Sequence, residues 1–479
     1  MKKCILTIIG LIVGLLLWIL YILFWNSSIV GTDTYQTDFA RIEKAIIDKE
    51  VHVQSIQEIQ QLIQQASQQK QKVSIAGKKY SGGGHTFTQN GLVIDMKNFN
   101  EILDYDRDKK TITVQAGITW GEIQSYINKD NLAIQVMQSS NIFSVGGSLS
   151  SNIHGRDPRY ATIADTVDSF RMIDASGQLL DVSYETNPEL FGSVIGGFGL
   201  LGVITDVTLS LQENESYQIK TLALNGEDYN SYLKENVIGN QNIGLHYGRF
   251  SIEKGDNFLK DFYVTNYSLI QEEGDNTLQD EKWVLRNRFF FNLSRNYDWG
   301  KKVRWKLQQA FTENLKGEKK ITRNNAMNPP IRFISYHSKT HTDILHEYFI
   351  PIDSFDIFME KFRETMVKNK VNLLSITTRY IKKSEKKVLL NYNPEDMISV
   401  VFYINVGLGE KEQSILKGYT QELIDTVNNL GGTYYLSYQN FATKEQFQSI
   451  YPDFQKFEKI KKIYDSENIF SNIFYEKNF

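Results

Sequence analysis

The feature that most constrains the fold is a glycine-rich stretch between two short apolar segments, Val73–Met96. Its sequence, VSIAGKKYSGGGHTFTQNGLVIDM, predicts a strand, a turn rich in glycine and a second strand that includes Asp95. Because glycine has no side chain and can adopt positive φ, such a turn can bring several backbone N–H groups close to one anion. The pyrophosphate of a dinucleotide is an anion of this kind.

Two common phosphate-binding loops do not fit this stretch. A Walker loop requires Gly, four residues and then Gly-Lys-Ser/Thr, but Gly77 is followed at that distance by the run Gly82–Gly84, without a lysine. A Rossmann fingerprint must open a helix, whereas this turn leads into the strand-like residues Leu92–Met96. A glycine-rich hairpin without a ligand is the alternative interpretation of this stretch alone.

Two further glycine-rich segments favour a ligand site. Residues 138–157, QSSNIFSVGGSLSSNIHGRD, combine glycines with serines, asparagines and His154. Small side chains beside hydroxyls and amides allow a flat polar ring system to enter a cleft and to form hydrogen bonds at its edge. Residues 190–209, LFGSVIGGFGLLGVITDVTL, interrupt an apolar run with glycines and end as a predicted strand.

Together the three segments resemble the FAD-binding domain of the vanillyl-alcohol oxidase/p-cresol methylhydroxylase (PCMH-type) family. They carry GxxxSxGG, then SVGG and NxHG, then GGxGxxGVITxV, and the similarity covers about residues 55–211. Within that family, the patterns are similar to those of the aldonolactone and alditol oxidases and the decaprenylphosphoryl-ribose oxidases. The resemblance implies FAD held across two small α+β subdomains, with its isoalloxazine ring facing a separate substrate domain.

The whole chain is predicted to be an α+β protein with two main domains. A length of 479 residues leaves room for two or three domains. Beyond about residue 211, strand-like runs alternate with helices, which predicts an antiparallel sheet covered by helices, the substrate or cap domain. The predicted parts are a transmembrane anchor at 4–25, an FAD-binding domain at 38–212, a cap domain at 213–440 with an insertion at 282–332, and a C-terminal segment at 441–479 that returns to the FAD-binding domain.

Periodicity and capping patterns predict individual elements. Helices are expected at Ile56–Gln69, from a capping box at Thr119 to about Lys129, at Ile352–Lys368 and at Glu410–Asn429. Strands are expected at Thr111–Ala116, Gln218–Leu224, Phe262–Ser268, Thr377–Ile381 and Ile398–Val406.

The N-terminal residues 4–25 contain no charged side chain and follow two lysines. At ~1.5 Å per residue, a helix of this length is about long enough to cross a bilayer core. Three aromatic residues, Trp18, Tyr21 and Trp25, lie toward its end, as interfacial aromatics often do. A single-pass membrane protein is therefore expected, with the side of the catalytic domain left open. A cleaved signal peptide is the alternative.

Charge and cysteine usage exclude other classes of function. The net charge of −3 gives no indication of nucleic-acid binding. A single cysteine, Cys4, excludes an intrachain disulfide and a thiolate metal cluster, and no metal site is predicted.

The insertion at 282–332 is strongly basic. It has thirteen lysines and arginines against three acidic residues, a net charge of +10, and large aromatic residues lie between them. This composition is typical of a segment that lies on an anionic membrane surface. The alternative is a basic helix pair whose aromatic residues pack into the cap domain.

The resemblance also implies the site residues. His154, in its NxHG pattern, is expected beside the flavin and the substrate, and the glycine-rich loops are expected along FAD. The expected catalytic residues are His154, Arg379 and Tyr438. The expected FAD-binding residues are Ala76, Gly77, Lys78, Lys79, Tyr80, Ser81, Gly82, Gly83, Gly84, His85, Ser139, Ser144, Val145, Gly146, Gly147, Ser151, Asn152, His154, Gly155, Ile204 and Tyr435.

One departure from the family concerns a covalent flavin. In covalent members such as cytokinin dehydrogenase, a histidine immediately precedes the serine of GxGHS, whereas here Tyr80 precedes Ser81. FAD is therefore expected to be bound non-covalently, although His85 lies only four residues beyond that serine.

Two departures concern the substrate side. Alditol and aldonolactone oxidases carry Glu-x-Arg on a cap strand, where this chain has Thr377 and Arg379. Decaprenylphosphoryl-ribose oxidases carry a lysine where this chain has Tyr438. Tyr438 either replaces that lysine in proton transfer or only packs against its neighbours.

The leading hypothesis is a membrane-anchored FAD-dependent oxidoreductase that oxidises a CH–OH group. The substrate would be a sugar, an aldonolactone, a polyol or a lipid-linked sugar, and the electron acceptor would be oxygen or a quinone. A C=C reductase of the sterol Δ24 type is one alternative, favoured by the run Leu345–Pro351. A non-catalytic flavin-binding scaffold at a membrane is the other.

Overall fold

The computed structural model describes residues 2–24, 35–272, 274–314 and 319–479. The helices are α1 (Lys2–Phe24), α2 (Ile56–Gln69), α3 (Trp120–Ile127), α4 (Val145–Ser150), α5 (Pro188–Val194), α6 (Tyr229–Asn236), α7 (Val284–Asn296), α8 (Asp298–Asn314), α9 (Arg323–Ala326), α10 (Phe355–Lys368), α11 (Glu410–Asn429), α12 (Lys444–Ile450), α13 (Phe454–Tyr464) and α14 (Ile473–Asn478). The strands are β1 (Gln36–Thr37), β2 (Lys44–Ala45), β3 (Lys49–His52), β4 (Val73–Ala76), β5 (Leu92–Asp95), β6 (Ile102–Asp106), β7 (Thr111–Gln115), β8 (Leu132–Ile134), β9 (Val167–Ile173), β10 (Leu179–Ser183), β11 (Val203–Glu213), β12 (Ser216–Asn225), β13 (Ile243–Phe250), β14 (Asp261–Ile270), β15 (Lys320–Thr322), β16 (His341–Pro351), β17 (Asn372–Ile381), β18 (Met397–Gly407) and β19 (Thr433–Tyr434).

The first glycine-rich stretch lies in a small parallel sheet with the order β3-β5-β4. Val73 of β4 and Lys49 of β3 both pair with Leu92 of β5 in parallel register. The predicted strand, turn and strand are therefore confirmed. The hairpin alternative is wrong, because hairpin strands are antiparallel.

The other glycine-rich segments are held by a second, antiparallel sheet. Its order is β10-β9-β11-β7-β6, with β8 paired to β11. The predicted helix after Thr119 is confirmed as α3, and the Thr119 and Glu122 side chains form the expected capping box. A capping box satisfies two backbone N–H groups that would otherwise lack partners, so it fixes where a helix begins.

The C-terminal half contains an eight-stranded antiparallel sheet in the described residues, here called the cap sheet. Its order is β15-β12-β14-β13-β17-β18-β16-β19. The predicted antiparallel sheet with helices is confirmed. Helices α10 and α11 cover one face, where Phe362 packs on Phe402 and Phe358 packs on Tyr348. Because side chains alternate along a strand, Glu347 and Val401 point to the opposite face.

The chain end lies against the first parallel sheet. Phe470 pairs with Val73 in a parallel bridge, and the Ser471 N–H donates to the Val73 carbonyl at 3.0 Å. The Asn472 amide donates to the His85 and Phe198 carbonyls at 3.1 Å. The C-terminal segment therefore contacts two of the three glycine-rich segments.

Among the residues that the structure describes, no helix is long and apolar enough to cross a membrane. The prediction of a single-pass membrane protein with an anchor at 4–25 is therefore wrong. The end of α1 packs on the cap domain: Trp18 contacts Phe289 and Trp299, and the Asn292 amide donates to the Ile22 carbonyl at 2.7 Å. Trp25 lies outside the described residues.

The basic insertion at 282–332 forms α7, α8, β15 and α9. Three of its basic residues, Arg295, Lys301 and Arg323, are buried. Arg295 pairs with Asp343, and the Lys301 ammonium donates to Asn372 at 2.8 Å. The structure thus favours the alternative interpretation, in which the insertion packs into the cap domain, because buried charges require partners within the protein. Lys316 and Glu318 of the insertion lie outside the described residues.

Candidate functional site

A cavity of about 850 Å³ lies between the glycine-rich segments and the cap sheet. Most of the expected site residues line it, namely Ala76, Gly77, Lys78, Lys79, Tyr80, Ser81, Gly82, His85, Ser139, Ser144, Gly146, Gly147, Ser151, His154, Ile204, Arg379, Tyr435 and Tyr438. The expected residues that do not line it are Gly83, Gly84, Val145, Asn152 and Gly155. Segments far apart in the sequence are therefore brought to one cavity.

The glycines keep two loops in close contact. A Cβ atom on Gly77 would lie 2.3 Å from the Ser144 hydroxyl oxygen. A Cβ atom on Gly146 would lie 2.9 Å from the Ala116 Cβ, so glycine is required there by the adjacent end of β7. Gly84 has a φ of +70° and lies against Ile473, which explains a glycine that does not reach the cavity.

A buried pair of hydrogen-bonded side chains joins the second glycine-rich segment to the cap sheet. The His154 Nε2 atom lies 2.8 Å from the Glu347 Oε1 atom, and both side chains are almost completely buried. The Ser399 hydroxyl also donates to Oε1. The second oxygen, Oε2, forms no hydrogen bond to any described residue, and Glu347 lines the cavity. The Oε2 atom is therefore available to accept a hydrogen bond from a ligand in the cavity.

Arg379 stands beside this pair. Its Nη2 donates to the Ser139 hydroxyl at 3.0 Å, and its buried Nε has no partner among the described residues. Burial lowers the pKa of Arg379, and the Glu347 carboxylate opposes this effect. Burial alone would raise the pKa of Glu347, but the His154 imidazole and Arg379 hold it below its usual value. Glu347 is thus ionised at neutral pH.

Three tyrosines surround the His154–Glu347 pair. The Tyr435 hydroxyl donates to the Ser151 carbonyl at 2.8 Å, and the Tyr392 hydroxyl donates to the Asn152 carbonyl at 2.7 Å. The Tyr438 ring packs edge-on against Tyr435, and its hydroxyl forms no hydrogen bond to a described residue. Burial raises the pKa of Tyr438, so its phenol is protonated at neutral pH and can donate a hydrogen bond.

Glu347 was not predicted as a site residue. Its position supplies a carboxylate near Thr377, where the family resemblance implies one and this chain has threonine. Thr377 pairs with Val401 across one edge of β18, and Glu347 pairs with the same Val401 across the other edge. The carboxylate expected at Thr377 is therefore found in the same row, two strands away. A signal was present in the sequence, because Glu347 is the one charged residue in the apolar run Ile344–Ile350 apart from a histidine.

The residues near a possible flavin link are placed as follows. Tyr80 packs edge-on against Phe39 and Phe143. The His85 ring lies between Phe198 and Phe474, with centroids at 4.6 and 4.9 Å. Burial lowers the pKa of His85 to about 3, so the ring is neutral. Neither ring nitrogen has a hydrogen-bond partner in the described part of the chain.

The cavity suits a large polar cofactor. Its volume falls within the range of about 300–1,000 Å³ that is usual for ligand sites. Buried polar groups normally have partners, yet several along the cavity have none among the described residues. These groups are the two ring nitrogens of His85, the hydroxyls of Ser140 and Ser437, and the Oε1 atom of Gln439. A dinucleotide with hydroxyl, amide and phosphate groups would supply such partners.

Comparison with known proteins identifies this cofactor. Residues 48–183 match the FAD binding domain family, and residues 268–478 match the D-arabinono-1,4-lactone oxidase family. The chain is similar to L-gulonolactone oxidase of Bos taurus, with 24% identity over 441 residues that cover 89% of this chain and 93% of the bovine protein. The mouse L-gulonolactone oxidase is 23% identical over 448 residues, with the same coverage of 89% and 93%.

A plant enzyme matches over a shorter region. The L-galactono-1,4-lactone dehydrogenase of Arabidopsis thaliana is 25% identical over 194 residues, which cover 40% of this chain and 32% of that protein. The predicted cofactor, FAD, and the predicted enzyme class are confirmed by these matches. These matches make the chain similar to the PCMH-type FAD-binding oxidoreductases, in the branch of the aldonolactone oxidases and dehydrogenases.

Proposed function

We propose that this protein oxidises a CH–OH group of a sugar lactone or a related polyol. The observation that carries this proposal is the cluster of Glu347, His154 and Arg379 at the cavity. It places a carboxylate with one unused oxygen next to a guanidinium, so that one group can take the hydroxyl proton and the other can stabilise charge on the substrate oxygen. The relatives named as lactone oxidases and dehydrogenases support the same substrate class.

Bound FAD supplies the acceptor for a hydride from the substrate carbon. The residues that would hold it are the cavity-lining parts of the first two glycine-rich segments, including Tyr80 and His85. The protein must then orient the C–H bond and take the hydroxyl proton.

Glu347 is the proton acceptor in this proposal. Its Oε2 atom would accept a hydrogen bond from the substrate hydroxyl and take that proton as the hydride leaves. His154 is a positioning residue, because its Nε2 atom already holds Oε1 of the same carboxylate. In this proposal His154 acts through Glu347, whereas the resemblance implies that His154 is itself a catalytic residue.

Arg379 and Tyr438 would act on the substrate oxygen. A guanidinium stabilises negative charge that develops on an oxygen, and it does so most strongly where water is excluded. Tyr438 would donate a hydrogen bond as a neutral phenol, since burial raises its pKa. Proton transfer by Tyr438 is therefore not part of the proposal.

The test is anaerobic reduction of the protein-bound flavin, which is measured as the loss of its visible absorbance. We expect bleaching by an aldonolactone or a polyol within a panel that also contains polyprenyl-phosphosugars. Bleaching only by NADPH would favour the C=C reductase instead. No bleaching by any donor would favour a non-catalytic scaffold. Reoxidation of the reduced enzyme by oxygen or by a quinone would then identify the acceptor.

A further inference from the structure

A group of arginines lines the cavity away from Glu347. Arg249 lies on β13, Arg288 on α7 and Arg304 on α8, and all three line the same cavity. None of them forms an ion pair with an acidic side chain in the described ranges of the chain. The buried Nε atoms of Arg249 and Arg288 also have no hydrogen-bond partner there.

Buried arginines elsewhere in the described residues differ in whether they have an acidic partner. Two buried arginines, Arg295 and Arg323, are each paired with an aspartate, Asp343 and Asp157 respectively. The buried Arg156 instead donates to a carbonyl, that of Ala326. Burying a guanidinium without an anion is unfavourable, because desolvation is not offset by attraction. The unpaired arginines at the cavity are therefore positioned for an anion that the protein does not supply.

The contacts of Arg304 show that the group is fixed in place. Its Nη1 atom donates to the Leu374 carbonyl at 2.9 Å, and its guanidinium lies 4.8 Å from the Phe291 ring centroid. Burial and the nearby Arg249 guanidinium lower the pKa of Arg304 to about 9, so it remains charged at neutral pH. A cation held close to a like charge would bind an anion favourably.

The cap sheet gives the distance between this group and the proposed catalytic carboxylate. Arg249 pairs with Thr377, Thr377 pairs with Val401, and Val401 pairs with Glu347. Since neighbouring strands are about 4.8 Å apart, the backbones of Arg249 and Glu347 are separated by about 14 Å. Both residues lie in one row on the same face of the cap sheet and line the cavity, and this separation suits a sugar-sized molecule with one charged end.

We propose that Arg249, Arg288 and Arg304 form a binding site for an anionic group of the substrate, in the first instance a phosphate ester. The proposal rests on the proposed function, and it specifies the substrate as a phosphorylated sugar, lactone or polyol. Arginine suits this role because its planar fork binds two oxygens of a phosphate or carboxylate at once.

The first experiment is calorimetric titration of the FAD-loaded protein with inorganic phosphate. We expect binding to one site, weakened roughly 10-fold to 100-fold in Arg249→Gln and in Arg304→Gln. Arg249→Lys, which keeps the charge, should lose less. The matched control is Arg107→Gln, whose side chain is 67% exposed and lies outside the cavity. Equal phosphate affinity in wild type and both glutamine variants would overturn the proposal.

FAD occupancy separates substrate binding from cofactor binding. If the arginines bind the substrate, Arg249→Gln should keep its full FAD content and an unchanged flavin spectrum. Loss of FAD in this variant would show that the arginines hold the cofactor phosphates, and it would overturn the proposal.

The second experiment compares flavin reduction by pairs of neutral and phosphorylated sugars and lactones. We expect kcat/KM to favour the phosphate esters by roughly 10-fold or more, and Arg249→Gln to abolish this preference. Flavin reduction without any preference would overturn this proposal and leave the proposed function intact. If no sugar or lactone reduces the flavin, the proposed function fails, while the phosphate titration still decides whether the anion site exists.

Discussion

Glu347 lies on a different strand from the position where the family resemblance predicts a carboxylate. The cap sheet places it in the same row as Thr377, since both residues pair with Val401. Its charge is stabilised by His154 and Arg379, which hold its pKa low although it is buried. In this protein the carboxylate and the arginine therefore come from β16 and β17 rather than from one strand.

The variant Glu347→Gln tests this assignment. Glutamine keeps the size of the side chain but cannot take a proton, so flavin reduction should slow by about 10²-fold or more while FAD stays bound. Stopped-flow absorbance of the flavin measures the rate, and the substitution Glu467→Gln on the C-terminal segment is the control. A second substitution, Thr377→Glu, should restore part of the activity. Reduction at the wild-type rate in Glu347→Gln would contradict the assignment.

A second residue, Asp38, predicts a pH dependence of stability. It is buried, and its Oδ2 atom has no hydrogen-bond partner among the described residues. Burial, opposed by a hydrogen bond from the Ile42 N–H and reinforced by Glu43, raises the pKa of Asp38 to about 8. Because the pKa of Asp38 is higher in the folded state, its contribution to the free energy of unfolding is complete below about pH 4. This contribution is lost as the pH rises through about 8.

Asp38→Asn should therefore become more stable relative to wild type as the pH rises from 5 to 9. The measurement is the free energy of unfolding from urea titrations at both pH values. Asp48→Asn, at an exposed site, serves as the control. If the unfolding free energies of wild type and Asp38→Asn differ by the same amount at both pH values, Asp38 does not titrate as described.

At the scale of elements, the loops at Gly77 and Ser144 in the FAD-binding domain pack closely against each other. Gly77 follows β4, and Ser144 precedes α4, yet a single added carbon on Gly77 would collide with the Ser144 hydroxyl. Their close approach sets the width of the cavity between them. The spacing of the loops, rather than any one contact with FAD, is what a substitution there would change.

Gly77→Ala should accordingly weaken FAD binding. Overpacking of this kind costs about 1–3 kcal/mol, which we expect to appear as a lower ratio of flavin to protein absorbance. The double variant Gly77→Ala with Ser144→Ala removes the colliding oxygen and should regain FAD, and Ser144→Ala alone is its control. Failure of the double variant to recover FAD would indicate that alanine at position 77 contacts the cofactor itself.

At the scale of the whole molecule, the FAD-binding domain, the cap sheet and the chain end share one apolar core. The same buried cluster contains Val114 of β7, Phe402 of β18 and Phe474 of α14. The Lys461 ammonium adds polar contacts, donating to the Leu200 and Phe470 carbonyls at 2.7 and 2.8 Å. The cavity is thus enclosed by parts of the chain that cannot move apart without exposing this core.

The molecule as a whole should release FAD intact when it is precipitated with acid. Tyr80 occupies the position of the linking histidine, and its ring packs between Phe39 and Phe143. We therefore expect no covalent bond to the flavin at this position. The measurement is flavin absorbance in the supernatant and in the washed pellet. Flavin that remains on the pellet would contradict non-covalent binding and would make His85 the first residue to examine.

The sequence by itself determined the local features of this protein. Glycine spacing predicted the loops around the cavity, and Thr119 with Glu122 predicted the start of α3, because such signals act within a few residues of the chain. The tertiary structure decided the rest. Strand pairing over long separations placed Glu347 beside Arg379, and packing buried Arg295 and Arg323 of a segment that had suggested a membrane surface. Burial and strand register depend on residues far apart in the sequence, so a local pattern could mark Glu347 as unusual but could not place it beside Arg379.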